Sequence, residues 1–482
     1  MYDIAIVGLG ATGVSLLSQI QDEIYKLKAI KPKVAVFNPA STFASGKAFG
    51  DADSMHKVNT PPAMMSVSAT EPDRFGHWLQ SVFSSEERWP ARLKYSNFIR
   101  QTYRDIKSAG ILHITEFHHS ATHIRKNDRG FTLTDENGNT VDAHKIVMCM
   151  GSLSADTFPE FNALPGFTTH FTQYDAAINE PLIIAGSGLT AIDAFRYAQS
   201  KSNANIHLYS RSGYAPTCLT ERNTYTPVYL NWRNIMAASA DSEDVLGVFT
   251  RLLRKEFSLL KERDEFKPAM QLLRAGRQAD YFRLLLNRAK NSELPWQDVL
   301  VSTRPYMHRL WNALTLAQKQ QFLKRYGALW AAWRHPVPQE VFAELAQASA
   351  EGRLQFHQAV SRPLHQDRQF ILKTTSGTLA ARQFWDATGG SQTLEKVRQP
   401  LLQNLLSQRL IEGHPCGGIN IDPLTFQCRV QGRNIQGLYN LGPLSKGSLF
   451  STNAFWFNAR CAETWAKQWV LEYSTDDIKE SM

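Results

Sequence analysis

The first forty residues alternate between apolar runs and one apolar helical stretch. Residues 3–7 form a short, mostly apolar run typical of a buried parallel strand, and a helical pattern follows over residues 14–20. Residues 33–37 form a second apolar run, rich in valine, that predicts another strand. The order strand, helix, strand predicts the start of an α/β dinucleotide-binding domain.

Glycines fill the turn between the first strand and the helix. Gly8 permits a tight turn, Gly10 lets the backbone approach a pyrophosphate, and Gly13 lets the helix pack on the strand. The unpaired N–H groups at the start of the helix favour the phosphates. Asn38 stands where an acid usually binds the ribose, and it can accept the same hydrogen bond more weakly. The predicted dinucleotide contacts in this region are Gly8, Gly10, Ala11, Thr12, Gly13 and Asn38.

A second glycine turn lies in mid-sequence. The apolar run 181–185 leads into a glycine motif in which Ala191 replaces the third glycine, a helix is predicted over 192–198, and a strand over 206–209. Arg211 follows that strand without a neighbouring acid, which favours the 2′-phosphate of NADPH. The alternative is that Arg211 forms only a surface salt bridge. The predicted NADPH contacts are Gly186, Ser187, Gly188, Leu189, Thr190 and Arg211.

Residues 225–350 show amphipathic helical spacing and predict a mainly helical insertion that would carry substrate selectivity. The expected fold is α/β, with two Rossmann-like dinucleotide-binding domains, one for FAD and one for NADPH. The predicted division is 1–178 for the first part of the FAD domain, 179–224 for the start of the NADPH domain, 225–350 for the insertion, and 351–482 for the rest of the FAD domain.

Composition and charge argue against nucleic-acid-binding, metal-binding and membrane-spanning proteins. The chain has 482 residues and a net charge of +9, from 53 basic and 44 acidic residues. The basic residues are scattered and no nucleic-acid module is recognisable, so no nucleic-acid partner is expected. The five cysteines show neither C-x-x-C nor metal-type spacing, which predicts reduced structural thiols and no metal. No signal peptide or transmembrane run is recognisable, so we expect a cytoplasmic protein.

Several motifs carry a resemblance to a known family. They include residues 46–50 (GKAFG), 58–66 (VNTPPAMMS) and 75–79 (FGHWL), with further matches over 208–213, 333–335, 385–389 and 441–447. Together they resemble the bacterial FAD/NAD(P)-binding oxidoreductases, which are similar to flavin-dependent N-hydroxylating (class B) monooxygenases acting on lysine or ornithine. The signature of Baeyer–Villiger enzymes is not present around residues 167–170.

The resemblance implies further site residues. Asn59 would hydrogen-bond the isoalloxazine or the nicotinamide amide, and His335 would act as a general acid or anion-binding residue near the nicotinamide, unless it is structural. A helix beginning near Thr452 would direct its N-terminus at the flavin. Residues 386–389 form a predicted turn beside a dinucleotide. The cofactor contacts added in this way are Gly46, Asn59, Met64, Thr388, Gly389, Gly442, Gly447 and Thr452.

The leading hypothesis is an oxidoreductase in which NADPH reduces FAD, molecular oxygen reacts with the reduced flavin, and one oxygen atom passes to a small amine or sulfur nucleophile. The alternatives are an NADPH:acceptor oxidoreductase without oxygen insertion and a non-catalytic nucleotide-binding redox sensor. Because Asn38 replaces an acid and Pro443 follows Gly442, FAD is expected to bind more weakly than in flavoproteins that hold it tightly.

Overall fold

A computed structural model describes residues 1–153, 157–174, 177–178, 180–220, 225–260, 266–389 and 393–480. The chain forms two compact units. The first unit combines residues 1–153 with residues 391–482, and the second comprises residues 154–390.

The strands, in chain order, are β1 (Tyr2–Val7), β2 (Lys33–Phe37), β3 (His113–Phe117), β4 (Ala121–Asn127), β5 (Gly130–Asp135), β6 (Thr140–Met148), β7 (Phe167–Thr168), β8 (Leu182–Ala185), β9 (Ile206–Ser210), β10 (Leu354–Gln358), β11 (Leu364–Gln366), β12 (Gln369–Thr374), β13 (Gly377–Ala381), β14 (Gln383–Asp386), β15 (Gln427–Val430) and β16 (Arg433–Asn440).

The helices are α1 (Ala11–Leu27), α2 (Lys47–Gly50), α3 (Arg74–Phe83), α4 (Arg92–Ala109), α5 (Leu189–Lys201), α6 (Trp232–Ser239), α7 (Val245–Ser258), α8 (Phe266–Arg274), α9 (Gln278–Lys290), α10 (Pro295–Ser302), α11 (Met307–Ala313), α12 (Leu316–Trp333), α13 (Gln339–Ala350), α14 (Pro400–Ser407), α15 (Lys446–Leu449) and α16 (Phe455–Glu480).

The sheet of the first unit is centred on β1, which pairs in parallel with β2 on one side and β6 on the other. The parallel order continues through β3 beyond β2 and β16 beyond β6. Ile4, Ala5 and Ile6 are fully buried in this sheet, as the apolar run predicts. Helix α1 packs against α4 and α16. The carboxyl end of β1 therefore meets the N-terminus of α1 at the Gly8 turn.

The sheet of the second unit is parallel, in the order β10, β9, β8, β14, β7. Strands β11, β12 and β13 form a separate antiparallel sheet. Helices α6–α13 lie in the chain between β9 and β10, so the described part of residues 225–350 is mainly helical, as predicted. The predicted α/β class with two Rossmann-like domains is confirmed.

Two observed boundaries differ from the expected ones. Helix α1 begins at Ala11 and ends at Leu27, beyond the predicted 14–20 on both sides. Residues 154–178 and 351–390 belong to the second unit, because β7, β10 and β14 pair within its sheet. The predicted division had placed both ranges in the FAD domain. Among the described residues, every helix is too short or too polar to cross a lipid bilayer.

Candidate functional site

The Gly8 turn is built so tightly that side chains do not fit. Gly8 has a φ of +102°, and a Cβ atom there would lie 2.5 Å from the carbonyl oxygen of Cys149. A Cβ on Gly13 would lie 2.2 Å from the carbonyl oxygen of Gly8. The first helical hydrogen bond runs from the Val14 N–H to the Gly10 oxygen at 3.0 Å, which leaves the N–H groups of residues 11–13 free of helical partners. The turn can therefore receive a phosphate at its helix end.

Two distant glycines approach the same turn. A Cβ on Gly46 would lie 3.0 Å from the Cα of Gly10, and a Cβ on Gly442 would lie 3.0 Å from the Oγ1 of Thr12. Both glycines have positive φ, +69° and +88°. The structure thus brings Gly46 and Gly442, which were predicted from motifs far apart in the chain, to the Gly10–Thr12 segment. The absence of a side chain at each glycine allows this close approach to the turn.

Asn38 holds the glycine turn in place. It is 6% exposed, and its Oδ1 accepts a hydrogen bond from the Leu9 N–H at 2.9 Å. Its Nδ2 donates to the Pro39 carbonyl oxygen at 2.9 Å and to the Thr42 Oγ1 at 3.2 Å. A carboxylate could not make the two donor contacts. Asparagine at this position therefore has a structural reason, and its contact with the FAD ribose stays a prediction.

The C-terminal segment of the first unit holds buried polar atoms without partners. Among the described residues, the Oδ1 of Asn440, the Oγ of Ser451 and the Oδ1 of Asn458 are buried and accept or donate no hydrogen bond. Thr452, 1% exposed, lies among them and donates to the Pro443 oxygen at 3.4 Å. Buried polar groups are normally paired, so these atoms fit a polar ligand. The sequence pattern missed all three, although Asn440 directly precedes the predicted 441–447 motif.

Features of this segment, and one lysine beside Gly46, refine the predictions. Helix α16 begins at Phe455, three residues after the predicted start near Thr452. A Cβ on Gly447 would lie 2.3 Å from the Gly417 oxygen, so this glycine is required by packing. Lys446 was not predicted as a site residue, and burial lowers its pKa. Burial also lowers the pKa of Lys47, against the opposing effect of Asp51. Both lysines bring positive charge to the motifs that carry Gly46 and Gly442.

Asn59 and Met64 lie in the segment between α2 and α3. Asn59 is half-buried, and its Oδ1 accepts a long hydrogen bond from the Thr60 hydroxyl at 3.5 Å. Met64 ends a 3-10 turn, Pro62–Met64, and precedes the fully buried Met65. The predicted contacts of both residues with the flavin stay predictions.

The Gly186 turn in the second unit has the same features as the Gly8 turn in the first. Gly186 has a φ of +119°, and a Cβ there would lie 2.6 Å from the Ala387 oxygen. The first helical bond of α5 runs from the Ile192 N–H to the Gly188 oxygen at 3.1 Å. The N–H groups of residues 189–191 are therefore free of helical partners. Ser187 and Leu189 are half-buried, whereas Gly188 and Thr190 are exposed, so the turn is open to a ligand.

The predicted 386–389 turn lies beside the Gly186 turn. The Ala387 N–H donates to the Ala185 oxygen at 2.9 Å. The Thr388 N–H and hydroxyl both donate to the Asp386 Oδ1, at 3.0 and 2.6 Å, and Gly389 follows with a φ of +83°. A closely similar turn in the first unit begins with Cys149, whose N–H donates to the Val7 oxygen at 2.7 Å, and ends in Gly151, φ +74°.

Arg211 directly follows β9, at the place that Asn38 occupies after β2. Its side chain is exposed and, within the described part of the chain, forms no ion pair or hydrogen bond. The alternative of a surface salt bridge therefore finds no support. The side chain is available to an anionic ligand.

His335 is held by two neighbours. Its Nδ1 lies 3.3 Å from the Ala331 oxygen and its Nε2 lies 3.2 Å from the Arg334 Nη1. A carbonyl oxygen only accepts, and a guanidinium only donates. The assigned tautomer carries its proton on Nδ1, with Nε2 as acceptor. This arrangement leaves no Nε2 proton for a general acid and favours the structural alternative.

The five cysteines are all buried and free. Burial raises the pKa of Cys149 and of Cys218. The prediction of reduced structural thiols agrees with this placement.

Residues 5–153 match the family model described as FAD-NAD(P)-binding. No curated protein sequence matches the chain. Solved structures with the same fold are ornithine hydroxylase from Pseudomonas aeruginosa, with 12% identity over 97% of this chain and 98% of that one and a TM-score of 0.59, and ornithine N-hydroxylase from Kutzneria sp. 744, with 13% identity, 98% and 100% coverage and a TM-score of 0.61. L-lysine 6-monooxygenase from Pseudomonas syringae gives 15% identity, 97% and 99% coverage and a TM-score of 0.60. Residues 5–153 thus match the FAD-NAD(P)-binding family model, and the chain shares the fold of the ornithine and lysine monooxygenases, in agreement with the resemblance carried by its motifs.

Proposed function

We propose that this protein is an FAD-dependent oxidoreductase that takes its electrons from NADPH and oxygenates a small amine or sulfur nucleophile. The observation that carries the proposal is the repetition of one nucleotide-type turn in both units, at Gly8 and at Gly186. Two dinucleotide sites in one chain suit the transfer of hydride from a nicotinamide to a flavin. The shared fold with monooxygenases of ornithine and lysine supports an amine as the nucleophile.

The residues of the first unit fit FAD. The N–H groups of residues 11–13, which are free of helical partners, would hold the pyrophosphate, and Gly46 and Gly442 let their backbones approach the same turn closely. The unpaired Oδ1 atoms of Asn440 and Asn458 would accept hydrogen bonds from the cofactor, and the unpaired Ser451 hydroxyl would accept or donate one. When bound, the flavin supplies the redox and oxygen chemistry, so few acid or base side chains are needed.

The residues of the second unit would select NADPH. The turn at Gly186–Thr190 would hold the pyrophosphate, and the exposed guanidinium of Arg211 would bind the 2′-phosphate in a charge-assisted pair. Thr388 and Gly389 would pass close to the same dinucleotide. We keep Asn59 as the candidate for contacts with the reacting rings, and His335 as a positioning residue through Arg334.

The test begins with anaerobic mixing of FAD-reconstituted protein and NADPH, with the visible flavin absorbance as the readout. Oxygen is then admitted with and without ornithine, lysine, other primary amines and small thiols. We expect bleaching by NADPH, little bleaching by NADH, and a hydroxylated product formed in proportion to the NADPH consumed.

Two outcomes would support the alternatives. Bleaching followed by return of the flavin band with hydrogen peroxide alone, for every nucleophile tried, would indicate an NADPH:acceptor oxidoreductase. Absence of bleaching with bound FAD would indicate a nucleotide-binding sensor. The cytoplasmic location stays a prediction, to be checked by fractionation of cells that produce the full chain.

A further inference from the structure

Two arginines meet in the helical part of the second unit, away from the glycine motifs in sequence. Arg304 lies in the turn between α10 and α11, and Arg334 caps the C-terminus of α12. The Nη2 of Arg304 lies 3.4 Å from the backbone oxygen of Arg334. The two residues therefore lie next to each other, although thirty positions separate them in the chain.

The surrounding structure holds this pair firmly. The Gln297 Nε2 donates to the Trp333 oxygen at 2.6 Å, and the Val337 N–H donates to the Thr217 oxygen at 2.8 Å. The indole of Trp333 packs edge-on against Trp296 and donates to the Ala215 oxygen at 3.3 Å. The backbone on both sides of Arg334 is thus held by hydrogen bonds.

Arg334 is buried and Arg304 is half-buried, and neither has a counter-charge among the described residues. Arg334 is 7% exposed, and its Nε has no hydrogen-bond partner in the described part of the chain. Neither guanidinium forms an ion pair with any described residue. Burial lowers the pKa of Arg304 to about 10, and burial together with the charge of Arg304 lowers the pKa of Arg334 to about 9. Two adjacent buried cations are unfavourable unless an anion joins them.

Polar side chains of α10 and the residue after Arg334 have other roles and do not supply that anion. The Asp298 carboxylate accepts from the Thr220 hydroxyl at 2.7 Å, and burial raises its pKa to about 7. The Gln297 amide accepts a hydrogen bond from the Thr217 hydroxyl and donates one to the Trp333 carbonyl oxygen. His335 presents a lone pair to Arg334, which adds no negative charge.

We infer that Arg304 and Arg334 bind an oxyanion, the carboxylate or phosphate of a small-molecule ligand. The guanidinium fork matches the two oxygens of such a group in a bidentate geometry. This anion site is distinct from the 2′-phosphate site predicted at Arg211. The inference does not depend on whether the protein oxygenates its substrate. A ligand that carries both an amine and an acid group would use it as an anchor.

The experiment measures thermal unfolding of the full chain at constant ionic strength, with malonate, inorganic phosphate or 2′,5′-ADP replacing sodium chloride. A bound anion stabilises the native state by mass action. We expect the Tm to rise with the logarithm of anion concentration, on the order of 5 °C at about 100 times the Kd. A response to malonate indicates a carboxylate ligand, and a response to 2′,5′-ADP that Arg304→Gln abolishes indicates a nucleotide phosphate.

Three variants decide whether the arginines are responsible. Arg334→Gln and the less buried Arg304→Gln are each expected to lose the anion response. Arg309→Gln, at an exposed position of α11, is expected to keep it. If Arg334→Gln does not fold, the anion-dependent rise in Tm is compared between Arg304→Gln and the wild-type chain only. The inference is overturned if the wild-type chain shows no response beyond chloride, or if Arg304→Gln responds as the wild-type does.

Discussion

At the scale of single residues, the two nucleotide turns differ at their third position for a steric reason. In the first unit, a Cβ on Gly13 would overlap the Gly8 oxygen at 2.2 Å. In the second unit, Ala191 is present and its Cβ would lie 3.4 Å from a Cβ on Gly186, an ordinary contact. Helix α1 therefore lies closer to its turn than α5 does. The fingerprint permits either residue, and the sequence could not predict which unit packs more tightly.

This difference predicts opposite tolerance at the two positions. Gly13→Ala forces α1 away from the Gly8 turn, so we expect loss of FAD binding and a lower Tm of the full chain. Ala191→Gly, the matched change in the second unit, removes one methyl group and costs about 1 kcal/mol of helix propensity. FAD titration by fluorescence and thermal unfolding check both variants. Normal FAD affinity in Gly13→Ala would contradict the close approach.

A histidine pair predicts that stability depends on pH. The His207 Nδ1 lies 3.2 Å from the His357 Nε2, on neighbouring strands β9 and β10. Burial lowers the pKa of His207, and burial with the charge of His207 lowers the pKa of His357 to about 4. Both values lie below the unfolded value of about 6.5. Between about pH 6.5 and 4 the unfolded chain binds more protons, so stability rises with pH and is lost as pH falls through this window.

We expect the free energy of unfolding to fall by roughly 1–2 kcal/mol from pH 7 to pH 4.5 because of this pair, a value reduced for its partial exposure to solvent. Urea titrations at several pH values measure the slope. His357→Gln should flatten it, whereas His113→Gln, at an exposed position of β3, should leave it unchanged. Equal slopes in His357→Gln and the wild-type chain would remove the pair as its cause.

Sequence alone predicted residues whose role is local. The glycines of both turns follow from the order of strand, turn and helix, and that order is readable in a short window. Arg334 contacts Arg304, thirty positions away, and Asn440 lies opposite Met148 of β6. Their environment depends on which elements pack together, and periodicity carries no such information.

At the scale of elements, one carboxylate joins the start of the helical region to α7. Glu256 is fully buried, and its oxygens accept from the N–H groups of Val228, Tyr229 and Leu230 at 2.9, 2.6 and 2.7 Å. The Tyr225 hydroxyl donates to the same carboxylate. A negative charge surrounded by donors fixes the segment that enters α6.

Glu256→Gln replaces an acceptor by an amide NH2 that faces these N–H groups. We expect a loss of about 2–4 kcal/mol in the free energy of unfolding, because buried donors lose a charged acceptor. Urea denaturation followed by fluorescence measures it. Glu243→Gln, at an exposed position just before α7, is the matched control and should change stability by less than about 0.5 kcal/mol. A similar small loss for Glu256→Gln would show that water replaces the carboxylate.

The sequence predicted the presence of these strands and helices better than it predicted the residues at which they begin and end. The bounds of β2 agree with the prediction, since an exposed lysine is followed there by four buried apolar residues. The start of α16 was predicted near Thr452 but lies at Phe455. Residues 451–454 instead form a turn, closed by a hydrogen bond from the Ala454 N–H to the Ser451 oxygen at 3.0 Å. The motif that suggested Thr452 gave no information on that turn.

At the scale of the whole molecule, the two proposed dinucleotide sites belong to different units. This separation predicts that a change in the cofactor-selecting residue of one unit leaves the other cofactor unaffected. Arg211→Gln should raise the KM for NADPH roughly 10- to 100-fold, since one charge-assisted pair is lost. The KM for NADH and the Kd for FAD should stay unchanged.

Steady-state kinetics with both nicotinamide cofactors and an FAD titration measure these three quantities. Arg211→Lys is the conservative control, because it keeps the charge without the planar fork and should fall between the wild-type chain and Arg211→Gln. An equal loss with NADH and NADPH would assign Arg211 to a different role.

The sequence indicates the types of domain more readily than their residue ranges. The sequence indicated two dinucleotide-binding domains and a helical insertion, because each is marked by local patterns. The assignment of residues 154–178 and 351–390 depended on strand pairing, and β7, β10 and β14 pair with strands that are distant in the chain. Pairing partners of short apolar strands are not encoded in their own sequence.

The second unit is continuous in the sequence, and this continuity affects how its coding sequence can be inserted or exchanged. The chain leaves the first unit two residues after the Gly151 turn and returns after the Gly389 turn, so the second unit is one uninterrupted stretch, while the first is split in two. An ancestral coding sequence could therefore have gained the whole nicotinamide-type module through a single insertion. The same continuity allows one exchange of DNA between two fixed junctions to replace that module with another.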